Sequence, residues 1–300
     1  MSRNLLLLTL AIVVVAAFSL LKTMTPKVTV PIAPPPAPPS PAFAAYWPLH
    51  KTELSYYRLN QAQDGAIHKG QATLAFTSDT TSLEKSGSFP AFLTNLSRTF
   101  RVGRNDYSLL TSVSTPINNP SFPRSLQVVS TEQSWTGQRV IQLIRQDGGY
   151  QISTDSTGAI NKGYTVDDAV LEDEIWSQIR VDPAKLPVGK VTLLSGSLTA
   201  QLRRRRLMPM LAQTSLTDYE GVLYPGEYLQ AYTIRYPTND RTLTIVFERL
   251  FPHRIMGWEE IYQSRDNLLT TRAVLQKTVQ TDFQQSDPSV DSTLYRAPFK

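Results

Sequence analysis

The chain has 300 residues, 41% of them hydrophobic and 18% charged, a composition that excludes a largely disordered chain and a polytopic membrane protein. It holds no cysteine, which removes disulfides, thiolate nucleophiles, zinc ribbons, iron–sulfur clusters and a lipid-bearing N-terminal cysteine. The net charge of +5 is partly local: Arg3, Lys22 and Lys27 precede the first acid, so from residue 46 onward 27 basic side chains face 25 acidic ones. That balance makes no electrostatic case for nucleic acid.

Taken in chain order, Leu5–Leu21 is an uncharged run interrupted only by Thr9 and Ser19. As a helix it spans roughly 26 Å, close to the ~30 Å hydrocarbon core, and Lys22 can snorkel at its end. No small-x-small cleavage site follows directly, since Ala42-Phe43-Ala44 comes some twenty residues later. Residues 1–25 are therefore expected to be an uncleaved anchor, with a cleaved signal peptide as the competing reading. The default orientation puts the short N-terminus in the cytoplasm and everything after the anchor on the exported side. Eight prolines in residues 26–41 favour polyproline II, so 26–45 reads as a semi-rigid spacer.

From Tyr46 onward period-two patterns dominate, predicting a mainly β body over 46–285 with a curved antiparallel sheet and one central helix. Strands are expected at 71–77, 96–102, 107–115, 126–131, 139–146, 150–153, 228–236, 242–251, 254–262 and 268–279. Pro237–Asp240, Phe251–His253 and Asp147-Gly148-Gly149 are turn signals between them. Asp167–Ile179 has helical spacing, with Asp167 as its cap, the acids Glu172-Asp173-Glu174 on a solvated face, and Pro183 and Pro187 beyond it. The helix would separate two sub-sheets, 46–165 and 188–285, before a tail at 286–300. Gly65–Gly70 and Gly158–Gly163 match at five of six positions, which two copies of one turn type explain.

The search for chemistry returns little. His50, His68 and His253 share no ligand spacing, no serine stands in a Gly-x-Ser-x-Gly turn, and Gln71 occupies the lysine position of the P-loop-like glycine run 65–70. Glu259 and Glu260, adjacent in a strand, point to opposite faces. No catalytic residue, metal or cofactor is assigned. The concentrated charge is Arg203-Arg204-Arg205-Arg206, expected to continue the Leu198/Ala200/Leu202 alternation as an edge strand and to offer an anion patch. Trp47, Trp135, Trp176 and Trp258 read as core or interface, and Tyr228, Tyr232 and Tyr236 as a core stripe. The candidate binding set is Arg203, Arg204, Arg205, Arg206, Trp135 and Trp258.

Six segments in order carry a resemblance: Tyr46-Trp47; Leu59-Asn60-Gln61-Ala62; Ile67-His68-Lys69-Gly70; Glu132-Gln133-Ser134-Trp135-Thr136-Gly137; Val170–Trp176; and Phe251–Glu260. Together they resemble an uncharacterised family of bacterial envelope proteins, many of them predicted lipoproteins and some labelled "septum formation inhibitor Maf". The resemblance implies an envelope location, with residues 5–21 in a bacterial inner membrane and the main domain in the periplasm. Members often carry an N-terminal lipid-bearing cysteine and a cysteine where this chain has Thr136. The α/β pyrophosphatases properly called Maf carry a Ser-x-x-Arg-Arg signature near the N-terminus, which is absent here. The reading that follows is a membrane-tethered binding or scaffold protein for a lipid or envelope partner, with a hydrolase using fold-assembled carboxylates as the alternative.

Overall fold

The computed structural model describes residues 40–83, 87–117, 124–146, 148–156, 159–264 and 267–282. The expected anchor at 5–21, most of the spacer and the 286–300 tail lie outside the described residues. Among those described, no helix is long and apolar enough to cross a membrane.

The sheet begins with β1 (Lys51–Gln63), β2 (Ala66–Leu83), β3 (Gly87–Val102) and β4 (Asn105–Pro116). It continues with β5 (Gln127–Ser134), β6 (Gly137–Gln146), β7 (Gly149–Ser156), β8 (Ala159–Asp167) and the two-residue β9 (Val170–Leu171). After a helical insert come β10 (Gly189–Leu194), β11 (Pro209–Asp218), β12 (Leu229–Tyr236), β13 (Arg241–Glu248), β14 (Ile255–Ser264) and β15 (Asn267–Asp282). The order is β8-β7-β6-β5-β4-β3-β2-β1-β15-β14-β13-β12-β11-β10-β9. Every neighbouring pair is antiparallel except β9 with β10.

The two expected sub-sheets are thus one continuous sheet. The first and last strands join them along a ladder from Lys51↔Asp282 to Asn60↔Arg272, so the strands farthest apart in sequence are hydrogen-bonded neighbours. The other two ends of the sheet meet through side chains. Tyr150, Ile152, Tyr164 and Val166 from β7 and β8 pack with Leu171, Leu194, Ala200 and Leu207 from the opposite end.

Three short helices occupy the inner face. Helix α1 (Pro41–Tyr46) starts from Ser40, whose hydroxyl accepts from Phe43 N at 3.1 Å, and Pro41 sits at the first helical position. Phe43 is buried, and Phe43 and Trp47 meet Phe92 edge-on at 5.8 and 4.9 Å. The spacer expected over 26–45 therefore ends in a segment that belongs to the core. Helix α2 (Ile175–Val181) follows a 3-10 turn at Glu172–Glu174, and α3 (Ser197–Leu202) follows β10. Ile175, Trp176 and Ile179 fill the centre of the inner face among Tyr57, Phe76, Tyr232, Phe247 and Trp258.

Two expectations are corrected here. The central helix starts at the 3-10 turn rather than at Asp167, because Val170 and Leu171 extend the sheet beside Leu193 and Leu194. Residues 203–206 are not a strand. The Leu198/Ala200/Leu202 alternation belongs to α3, which lies between two walls: Leu198 and Leu202 pack toward Phe100 and Leu109, and Ala200 toward Leu143 and Ile152. Gly196 opens α3 because a Cβ there would stand 2.6 Å from Glu172 Oε1, an oxygen already held by an arginine.

Candidate functional site

The inner face carries three ion clusters; two tie the helical insert to strands of the sheet, and the third ties it to the loop before β5. Arg180 of α2 donates to both carboxylate oxygens of Glu53 on β1, at 2.5 and 3.0 Å, and its Nε donates to the Pro252 carbonyl. Tyr46 O–H donates to the same carboxylate at 2.6 Å. Burial, with the Glu53 charge beside it, pushes the Tyr46 phenol up to about 12. Burial alone would raise Glu53, but Arg180 overrides it and holds the carboxyl below the usual range.

The second cluster centres on Arg241 of β13. Its Nη1 and Nη2 donate to Glu172 at 2.5 and 2.6 Å, and its Nε donates to Glu260 Oε1 at 2.7 Å. Tyr236 O–H completes Glu172, Thr199 O–H completes Glu260, and Arg98 of β3 stands 3.7 Å from the other Glu260 oxygen. Burial disfavours the Glu260 charge, yet Arg241 and Arg98 hold the carboxyl down to about 2. Asp173 is placed differently. It accepts from Ser197 N at 2.9 Å, and burial beside Glu172 raises it to about 6.

In the third cluster, Glu174 accepts from Ser125 N and Arg124, at 3.0 and 3.1 Å. The run 172–174, expected on a solvated face, is thus buried throughout. Apart from the neighbouring Leu171 N, its partners lie 24 to 69 residues away in sequence, so no local pattern announces them. A carboxylate with two charge-assisted partners is a brace, and Glu260 at about 2 has no proton to donate at neutral pH.

The candidate binding residues separate. Trp258 lies wholly in the core, 4.9 Å from the Tyr57 ring and 5.3 Å from Trp176, and cannot meet a ligand from solvent. Trp135 is 71% exposed at the β5–β6 turn. Tyr232 and Tyr236 are core, but Tyr228 precedes β12 with φ 53° and is exposed. The four arginines cap the end of α3, where Arg204 takes φ 51°. Arg203 turns toward β14, its guanidinium 4.3 Å from the Tyr262 ring centroid. Arg204, Arg205 and Arg206 line a groove of about 620 Å³ on the other side of α3.

That groove has an apolar floor of Val140, Ile141, Ala200 and Leu207. Arg206 lies 4.0 Å over the Tyr164 ring, and the Tyr164 hydroxyl bonds the Leu207 backbone. Arg139 joins the rim while reaching Glu132 at 3.4 Å, and Asp155 is the acid within the lining. Among the described residues, no salt bridge engages Arg204, Arg205 or Arg206. Sequence reasoning located the arginine run but not the groove, half of whose floor comes from β6, some sixty residues earlier.

The three histidines are dispersed: His50 stands 3.5 Å from Asp79, and His68 and His253 bond backbone carbonyls of Gln63 and Glu248. Among the described residues no three metal-binding side chains cluster.

No family model matches the chain, and no curated protein matches it. The solved structure of a beta-barrel-like protein of the domain of unknown function DUF1849, from Brucella abortus, is similar to it. The two superpose with a TM-score of 0.50 at 12% identity, over 78% of this chain and 99% of that one. At that identity the likeness shows the fold: mainly β, built on one large curved sheet.

Proposed function

We propose that this chain is a membrane-tethered envelope protein with a non-enzymatic binding or scaffold role, and that its ligand is a lipid with an anionic head group. The observation that carries the reading is the groove beside α3. Three arginines without carboxylate partners stand over an apolar floor, beside Arg139. A guanidinium at a partly apolar surface binds phosphate or carboxylate in two-point contact, and the floor suits the first methylenes of an acyl chain. An anchor at 5–21 in the inner membrane, with the proline-rich spacer after it, would keep this groove in the periplasm within reach of lipid or of an envelope protein partner. The interior carboxylates support the same side of the argument, since Arg241 and Arg180 hold three of them, Glu172, Glu260 and Glu53, in fixed pairs.

Native mass spectrometry of the full chain, purified in mild detergent, tests the proposal. The expected result is a bound mass of an acidic phospholipid that disappears on denaturation and is absent from the Arg204→Ser/Arg206→Ser variant. A bare chain, or a lipid retained equally by the variant, would count against it.

A further inference from the structure

On the opposite side of α3 from the arginine groove lies a smaller cavity of about 140 Å³. The end of β1, α3 and the far end of β14 form its walls, through Gln61, Asp64, Thr199, Arg203, Glu260 and Tyr262. Two polar groups in it lack partners. Gln61 is 1% exposed, and its Nε2 donates to the Ala62 carbonyl at 3.0 Å and to Thr271 Oγ1 at 3.1 Å. These bonds fix the amide orientation, because its reversal would set Oε1 against the Ala62 carbonyl oxygen, and they leave the buried Oε1 with no partner. Arg203 Nη2 is likewise buried and unpartnered. The Arg203 plane is covered by Tyr262, so the edge of its fork is what remains for a ligand.

A buried donor or acceptor left unmade is costly, and here one of each borders a single cavity. A single water needs only about 10–15 Å³, so this cavity holds several waters or one small molecule. The charges around it discriminate between ligands. Glu260 is already filled by Arg241 and Thr199, yet its negative charge stays at the wall, and Asp64 is exposed at the turn beside it. A simple anion would meet Arg203 but also these acids. A simple cation would meet the acids and leave Arg203 unpaired. A compact molecule with both charges satisfies every group.

We propose that this cavity binds a free α-amino acid with a small side chain, its carboxylate on Arg203 and its ammonium at Gln61 Oε1 on the Asp64 side. The inference is independent of the lipid reading, since Arg203 faces away from the groove that Arg204–Arg206 line.

The full chain in detergent, dialysed free of amino acids, is titrated calorimetrically and by thermal unfolding with glycine, L-alanine and D-alanine. Acetate and ethylamine at equal concentration supply each charge alone. Saturable heat and a rise in melting temperature are expected for at least one amino acid, and at least tenfold weaker effects for either half-ligand. Arg203→Gln is expected to abolish the response. Asp64→Asn, at an exposed turn whose φ of 53° asparagine tolerates, is expected to weaken it several-fold without loss of fold. Arg204→Ser/Arg206→Ser is expected to leave it intact. No response to any amino acid means that the cavity holds water only and overturns the proposal. Acetate binding as tightly as alanine overturns it in favour of a simple anion site, and an unchanged response in Asp64→Asn removes the ammonium end.

Discussion

Two sets of arginines, some tens of residues apart in sequence, behave in opposite ways. Arg180 and Arg241 lie in the interior, fully buried, and each guanidinium meets a carboxylate in a two-point contact. Arg204, Arg205 and Arg206 stand at the end of α3, exposed, with no ion pair among the described residues. The first set joins the helical insert to β1, β13 and β14, and its chemistry is spent within the fold. The second set contributes nothing comparable to the fold and is available to a ligand. The same side chain is therefore spent inside the fold or left at the surface without a countercharge according to whether a carboxylate has been supplied for it.

Removing an interior member should give the largest effect. Arg241→Met would leave Glu172 and Glu260 buried against an apolar chain, and breaking such a pair costs about 3–5 kcal/mol. Chemical denaturation should show that loss as a lower midpoint with little change of slope. A midpoint within error of the parent would mean that the interior pairs are not braces, and the contrast would fail.

Titration sharpens the contrast from inside the cluster, because Asp173 and Glu260 are shifted in opposite directions. Asp173, raised from 3.8 to about 6, keeps in the folded state a proton that the unfolded chain gives up. Its contribution is full below about pH 4 and disappears as pH rises through 6, a loss of about 3 kcal/mol. Glu260, lowered from 4.5 to about 2, contributes above about pH 4.5 and loses that contribution as pH falls toward 2. Taken together, these two groups give greatest stability between about pH 4 and 4.5, with a decline from there to about pH 6. Asp173→Asn keeps an oxygen for Ser197 N and should flatten the alkaline side of the curve, as read from urea midpoints between pH 4 and 8. A parent whose stability is level over that range would show that Asp173 is not held protonated.

The sequence announced most of the sheet, and the reasons for the gaps are physical. Hairpins with Pro237–Asp240, Phe251–His253 and Gly148–Gly149 at their turns were legible, because turn residues and alternating faces lie close together in the chain. The strands at β12, β13, β14 and β15 followed from period-two burial, as in β12, where Ala231, Tyr232, Ile234 and Tyr236 are buried around exposed Arg235. Strand β1 escaped because it does not alternate in polarity: Glu53, Ser55 and Gln61 are buried through partners contributed by α2 and β15. The same cause hid the interior clusters, since Glu172 finds Arg241 only after the sheet has folded. In the candidate site the arginine run itself was visible. Its place at a helix end, between two cavities, was not, because a six-residue helix lodged between two apolar walls repeats its apolar residues as a strand does.

The smallest effect is expected at Arg204, and its sign carries the argument. At φ 51° an arginine sits in the left-handed region, which glycine enters at no steric cost. Arg204→Gly gives up an exposed side chain that has no carboxylate partner among the described residues, so its folding stability should match or slightly exceed the parent's, within about 0.5 kcal/mol. If the groove binds an anionic head group, the same substitution should weaken association with vesicles of acidic phospholipid. Most of that difference should vanish as ionic strength rises from 0.05 to 0.5 M, when exposed charges are screened over a few ångströms. A clear loss of stability in Arg204→Gly would place this arginine with Arg180 and Arg241, as part of the scaffold. Equal stability with weaker vesicle binding would mean that the fold carries a less favoured backbone at this residue and that its guanidinium acts on a ligand.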